Sequence, residues 1–503
     1  MSLSRNLFAG LANSIWSAAV GLAVVPLYLK HLGIEAYGLI GFFSTVQALF
    51  WILDLGLAPT INREVARCSA TGNFREAGNL LHTLAIIYWS MGVAIALLLV
   101  VISPLVSEYW LQSRHLPRET ITHAVMLMGL IIACRWPVGL YQGALIGAQR
   151  VTVSSAISIT MVTVSNFGAV AVLAFVSPTI EAFFIWQACA GLVYAIAMRW
   201  ATWRVIGRLK EIRFDVDQLK RIWRFSAGVS GLALSASILM QLDKVLLSRI
   251  LSLDDFGKYA LAGVITSGLY VLLAPIFNAI YPRFSALVAA GNTEILTNLY
   301  RTGTRLLSAV LFPIATLAGV FAEDLVYLWT GNLSISKGVA PILSLLLMGT
   351  AINGIMIFPY ALQLAYGAVR LPLMICLILI AGTVPITIFL AMKYEAVGGA
   401  SAWVLMNSIY LVMGSLLTHR VLLKEIGFKW LLWDAGIPLV VSVLVIRFVG
   451  ERIHDLGWSH VANLITASCL AVFGILSLIL ISPRLIRMLR GSFEESRRRA
   501  ESI

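Results

Sequence analysis

Fourteen apolar runs, each long enough to cross about 30 Å of hydrocarbon as a helix, take up most of this chain. They start near Leu7, Tyr37, Leu80, Thr120, Val151, Thr179, Phe225, Gly257, Gly303, Gly338, Leu371, Val397, Leu431 and Val461. A backbone in oil must satisfy its own amides and carbonyls, so the pattern implies an all-α polytopic membrane bundle of 14 transmembrane helices. Composition agrees: 59% of the 503 residues are hydrophobic and 12% charged, where a soluble domain has roughly a quarter charged. The first run, Leu7 to Leu29, exceeds a signal-peptide core of about 7 to 15 residues, and no small-residue cleavage site follows it. It is read as a membrane helix.

The charges are read as topology. The stretch from Met198 to Phe225 carries eight of the basic residues against three acids, so it lies outside the hydrocarbon and, as a short basic loop, on the cytoplasmic side. Threading alternating loops from there places 26 Lys and Arg inside and nine outside, with both termini cytoplasmic. The net charge of +13 is thereby explained without a nucleic-acid partner. Trp200, Trp203, Ile206 and Leu209 among those charges suggest that the linker lies along the inner leaflet.

The chain also repeats. YLKHLGIEAYGL, from Tyr28, reads against LSRILSLDDFGKY, from Leu247, with Gly38 over Gly257 at an offset of 219. Gly72-Asn73 meets Gly291-Asn292, and Trp110 meets Trp329, at the same offset, while GAQR ending at Arg150 meets GAVR ending at Arg370 after one inserted residue. Six helices per repeat, an even number, make the repeats parallel, an arrangement that encloses a central cavity between N and C lobes. The expected division is 1-198 for the N-lobe, 199-224 for the linker, 225-420 for the C-lobe, 421-482 for two extra C-terminal helices and 483-503 for a basic tail.

No nucleotide-binding, zinc-protease or hydrolase signature occurs in a suitable context, so no enzyme activity, cofactor or metal is expected. Cys134, Cys189, Cys376 and Cys469 fall in predicted helices and Cys68 in an inner loop, which offers no disulfide framework. The remaining chemistry is binding and conformational change. Ionisable groups deep in a bilayer cost roughly 2.5 to 3.5 kcal/mol and normally face a protein or water-lined interior. Four stand out: Asp54, Arg135, Asp243 and Lys244.

Gln142 lies two turns beyond Arg135 on the same face, with Gly139 between, so the pair can offer forked donors to a phosphate or sugar; the alternative is that Arg135 pins helices by pairing with Asp54 or Asp243. Asp243 and Lys244 are about 100° apart around their helix and need partners elsewhere, or Lys244 snorkels outward. Asp54 is either a polar group near a helix end, where the following proline ends regular helix, or a proton relay. Asn62 and Arg63 mark the inner mouth of the second helix, where topology alone also explains the arginine.

At LDLGLAPTINREVAR, from Leu53, and QLDKVLLSRILSLDDFGKYALA, from Gln241, the chain resembles the polysaccharide-transport family, the Wzx-type O-antigen flippases of the MOP exporter superfamily. The resemblance implies two lobes in a V around a cationic lumen. It also implies a flippase for undecaprenyl-diphosphate-linked oligosaccharide, moving it from the inner to the outer leaflet of the bacterial cytoplasmic membrane by alternating access. Arg135 and Lys244 are assigned to that lumen by burial and charge. Trp51, Trp136, Tyr141 and Tyr360 are either sugar platforms or packing.

Expected partners are the lipid-linked glycan and the bilayer, with a glycan polymerase and other assembly proteins, and a proton or cation as coupling ion, left open. The superfamily also holds MATE-type drug or cation antiporters and lipid II flippases. Many of the former use an acid in helix one, where Leu7 to Leu29 has no acidic or basic residue.

Overall fold

The computed structural model describes residues 3–54, 56–207, 214, 234–424, 426–455, 460–462 and 466. Most of the basic linker, nearly all of the fourteenth run and the tail lie outside the described residues. Two compact units form, Met1–Ala260 and Leu261–Ile503. Among the described residues the regular structure is helical, and ten helices are long and apolar enough to cross a membrane.

The first unit holds α1 (Leu3–Trp51), α2 (Leu57–Thr71), α3 (Phe74–Leu105), α4 (Arg118–Gly147), α5 (Val151–Phe175), α6 (Ile180–Ile206) and α7 (234–250). It also takes the start of α8 (Leu253–Ala289), which runs on into the second unit. α1 is two helices joined at Gly33, whose φ of 77° and ψ of 174° suit glycine and break the hydrogen-bond ladder. α4 is the central helix, with 19 of its 30 residues buried between α2, α3 and α6. Its approach to its neighbours is close because glycines line it. A Cβ on Gly143 would come within 2.7 Å of the Ala58 carbonyl oxygen, and one on Gly129 within 2.9 Å of Leu99. In lipid, where apolar burial against tails gives little drive, such backbone proximity is what holds helices together.

The repeat markers have structural counterparts. Gly72 (φ 71°) and Gly291 (φ 67°) each turn the chain in the left-handed region, and the following Asn73 and Asn292 each accept a bond from the amide three residues on, that of Glu76 or Ile295. The Gly-Asn pair is a helix stop followed by a helix start. At the Gly38/Gly257 marker, a Cβ on Gly38 would lie 2.3 Å from the Leu253 carbonyl oxygen, and one on Gly257 2.4 Å from that of Ile34. The offset of 219 carries Ile34 to Leu253 and Gly38 to Gly257, so each contact is the repeat image of the other.

This crossing is clasped from the loop between α3 and α4. Buried Glu35 accepts from Ser113 Oγ and from the amides of Arg114 and His115. Trp110 Nε1 donates to Ser248 Oγ at 3.0 Å, and Leu253 N donates to the Gln112 carbonyl at 2.7 Å.

The second unit continues with α9 (Thr293–Val320), α10 (Ala322–Thr330), α11 (Leu333–Ile355), α12 (Ile357–Ala365), α13 (Arg370–Ile409), α14 (Ser415–Leu422), α15 (Gly427–Trp430) and α16 (Ile437–Asp455). α13 is broken at Tyr394 and Glu395, the latter at φ 52°. α11 is its most enclosed span, against α9 and α13. Asn353 on α11 donates to Asn407 Oδ1 at 2.7 Å.

One local expectation is corrected. Pro59 does not end the helix; it lies in the first turn of α2. Regular α-helix stops earlier, at Trp51, passes through a 3₁₀ turn and resumes after Gly56, which sits at φ 76°. A proline in a first turn forfeits an amide that has no acceptor there anyway.

Candidate functional site

A pocket of about 400 Å³ opens in the first unit between α1 and α7, lined by Ala48, Trp51, Ala236, Ser237, Met240 and Gln241. Lys244 stands one turn further along α7 and donates from Nζ to Gln241 Oε1 at 3.3 Å. Cation, amide and pocket wall are therefore continuous. Trp51 is 48% exposed, which leaves much of its ring available. It is backed by α4: its ring centroid lies 6.4 Å from that of Trp136, and a Cβ on Gly139 would sit 3.2 Å from its edge. An amide and an indole on the cavity wall, with an ammonium bonded to that amide at its edge, suit an anionic or hydroxyl-rich ligand with a flat apolar face.

Asp243, the neighbour of Lys244, points elsewhere. It is buried and accepts from Tyr259 Oη at 2.6 Å, while its Oδ1 has no partner among the described residues. The 100° of helix rotation separates a residue that ties α7 to α8 from one that stands beside the pocket.

Arg135 has a different partner from the acids weighed in the sequence. Its Nη2 donates to Gln187 Oε1 on α6 at 2.5 Å, and Gln187 in turn donates to the Ser165 carbonyl on α5 at 3.3 Å. Gly191 makes room for the side chain, since a Cβ there would lie 3.0 Å from Arg135 Cγ. The guanidinium thus belongs to a polar chain through α4, α6 and α5, and the pocket wall is made by other residues. Gln142, part-exposed on α4, has no hydrogen-bond partner among the described residues.

Asp54 sits where α1 gives way to α2. Tyr88 Oη donates to its Oδ1, and the Ala58 amide donates to its Oδ2 at 3.2 Å. Asparagine offers one acceptor oxygen where the carboxylate offers two, so Asp54→Asn is expected to cost about 1 kcal/mol of stability, read as a lower melting temperature in detergent. Asn62 and Arg63 lie on α2, where the Asn62 carbonyl oxygen would be 2.3 Å from a Cβ on Gly147; Arg63 is exposed. Of the other aromatics, Tyr141 is buried and receives a bond from Trp89, and Tyr360 stacks 5.9 Å from Phe277 in the second unit. Gln241 is legible in the sequence as a partner of Lys244, three residues before it on the same helix face.

Ten helices among the described residues are long and apolar enough to cross a membrane, which makes this a multi-pass α-helical membrane protein. Its fold is that of MOP-superfamily transporters. It superposes on the lipid II flippase MurJ in an inward closed conformation with a TM-score of 0.71 at 13% identity, covering 95% of this chain and 100% of that one. It also superposes on an inward-facing multidrug resistance MATE family transporter of the MOP superfamily at 0.64 and 15% identity, covering 82% and 96%. The chain belongs to the polysaccharide biosynthesis protein family, whose model it matches over residues 3–288. A protein of Shigella flexneri named "Putative O-antigen transporter" is 22% identical over 423 residues, 80% of this chain and 96% of its own.

Proposed function

We propose that the protein flips an undecaprenyl-diphosphate-linked oligosaccharide from the inner to the outer leaflet of the bacterial cytoplasmic membrane by alternating access. The family match and the O-antigen transporter relative support the substrate class. The observation that carries the reading in this chain is Lys244, joined to Gln241 at the edge of the pocket that Trp51 walls. A lysine in an apolar span is costly unless it meets an anion or water, and a diphosphate is such an anion. Trp51 is assigned to a sugar ring and Lys244 with Gln241 to the diphosphate. Arg135 acts behind them, tying α4 to α6.

The proposed topology has fourteen passes and both termini in the cytoplasm, with two parallel lobes. The breaks in α1 and α13 each divide one long helix into two that can span, which supports this count. An inside-negative potential then favours outward movement of net negative charge by roughly 2.3 kcal/mol per charge per 100 mV.

A charge-assisted hydrogen bond is worth roughly 1.5–3 kcal/mol. Lys244→Ala is therefore expected to lower surface glycan about tenfold or more in a complemented deletion strain at unchanged membrane abundance, and Lys244→Arg to keep a large part of it. Full export by the alanine form would reject the assignment.

A further inference from the structure

The second unit holds a cationic site built on a buried acid. Asp434, with no exposed surface, lies in the π-helical turn between α15 and α16. Two arginines one turn apart on α9 converge on it: Arg301 Nε donates to Oδ2 at 2.8 Å, and Arg305 Nε donates to Oδ1. Each carboxylate oxygen is taken by one Nε. The terminal nitrogens of both guanidinium groups have no acceptor among the described residues, and the two side chains are 33% and 46% exposed. Two positive charges against one negative leave a net charge of +1 presented by a pair of forks.

The mount beneath them is rigid. Tyr300, next to Arg301, bonds His419 Nε2 at 2.8 Å and stacks on Trp430 at 5.6 Å; Trp430 Nε1 donates to Thr304 Oγ1, next to Arg305, at 3.1 Å. α9, α14 and α15 are thereby locked around the pair. The surface beside Asp434 is apolar and open, with Phe428 61%, Leu432 47% and Trp433 58% exposed. Exposed aromatics beside a fixed cation are the arrangement that meets a bilayer at head-group depth.

We infer that Arg301 and Arg305, oriented by Asp434, bind the phosphate of an anionic lipid head group. Guanidinium forks suit phosphate oxygens, and the flanking Phe428, Leu432 and Trp433 suit acyl or polyprenyl chains. The inference stands apart from the Lys244 pocket, since it uses other residues in the other unit.

The test uses the full-length protein in nanodiscs of phosphatidylcholine alone, or doped with phosphatidylglycerol or with undecaprenyl phosphate, and reads retained lipid by native mass spectrometry. Wild type is expected to retain at least one doped lipid several-fold above the phosphatidylcholine level, and Arg301→Gln/Arg305→Gln to lose that excess. Which dopant is retained distinguishes a bulk phospholipid from a polyprenyl carrier, and competition by inorganic phosphate would show that the phosphate alone suffices. Because the double variant strands a buried carboxylate, Arg301→Gln/Arg305→Gln/Asp434→Asn separates folding from binding: it restores monodispersity and stays without bound excess. Equal retention by wild type and the triple variant, or no excess over phosphatidylcholine in any disc, overturns the inference.

Discussion

Gly38→Val and Gly257→Val are each expected to lower the stability of the first unit by about 1–3 kcal/mol, the usual cost of overpacking a closed contact. The atom that obstructs the new Cβ is in both cases a backbone carbonyl, at 2.3 Å and 2.4 Å, which no rotamer change relieves. The helices must part. The sharper expectation concerns the double variant. Each glycine also faces the other's amide nitrogen, at 3.3 Å and 3.2 Å from the added Cβ, so the separation forced by one valine makes room for much of the second. The double should cost little more than either single, with a coupling energy comparable to the single effects. Thermal unfolding of the purified protein in detergent measures all three, and additive losses would show that the two contacts are independent.

The second large effect is expected at Asp434. Replacing Arg301 and Arg305 together by Leu leaves a carboxylate with no exposed surface and neither guanidinium, a change of the kind that costs about 3–5 kcal/mol. Asp434→Asn is expected to cost clearly less, because both arginines keep a third to nearly half of their surface open and can turn outward. The asymmetry is the content of the prediction. Melting curves in which the asparagine form is the less stable of the two would place the burden on the arginines instead.

The fold was legible to the extent that it was written in run length and in local turns. The Gly-Asn marker is a stop-and-start of helix encoded within five residues, and it recurs at 72–73 and 291–292 for the same reason. The lumen assignments were less legible. α4 is buried on most of its circumference, and a helix apolar all round carries no stripe to say which way Arg135 faces. Its partner, Gln187, stands 52 residues away on α6, and nothing in the intervening chain pairs them. Beside Asp54 the left-handed Gly56, and not Pro59, makes the break, and Pro59 rides in the next first turn.

The amino-acid sequence alone determined that this chain is helical and multi-pass, where its loops carry their charge, and that its halves repeat, because hydrocarbon forces backbone bonds to be closed within each segment. Tertiary structure decided which polar side chain meets which. A buried charge chooses its partner from whatever helix lies alongside at the same depth, and for Arg135, Asp243 and Asp434 that neighbour is set by packing between segments.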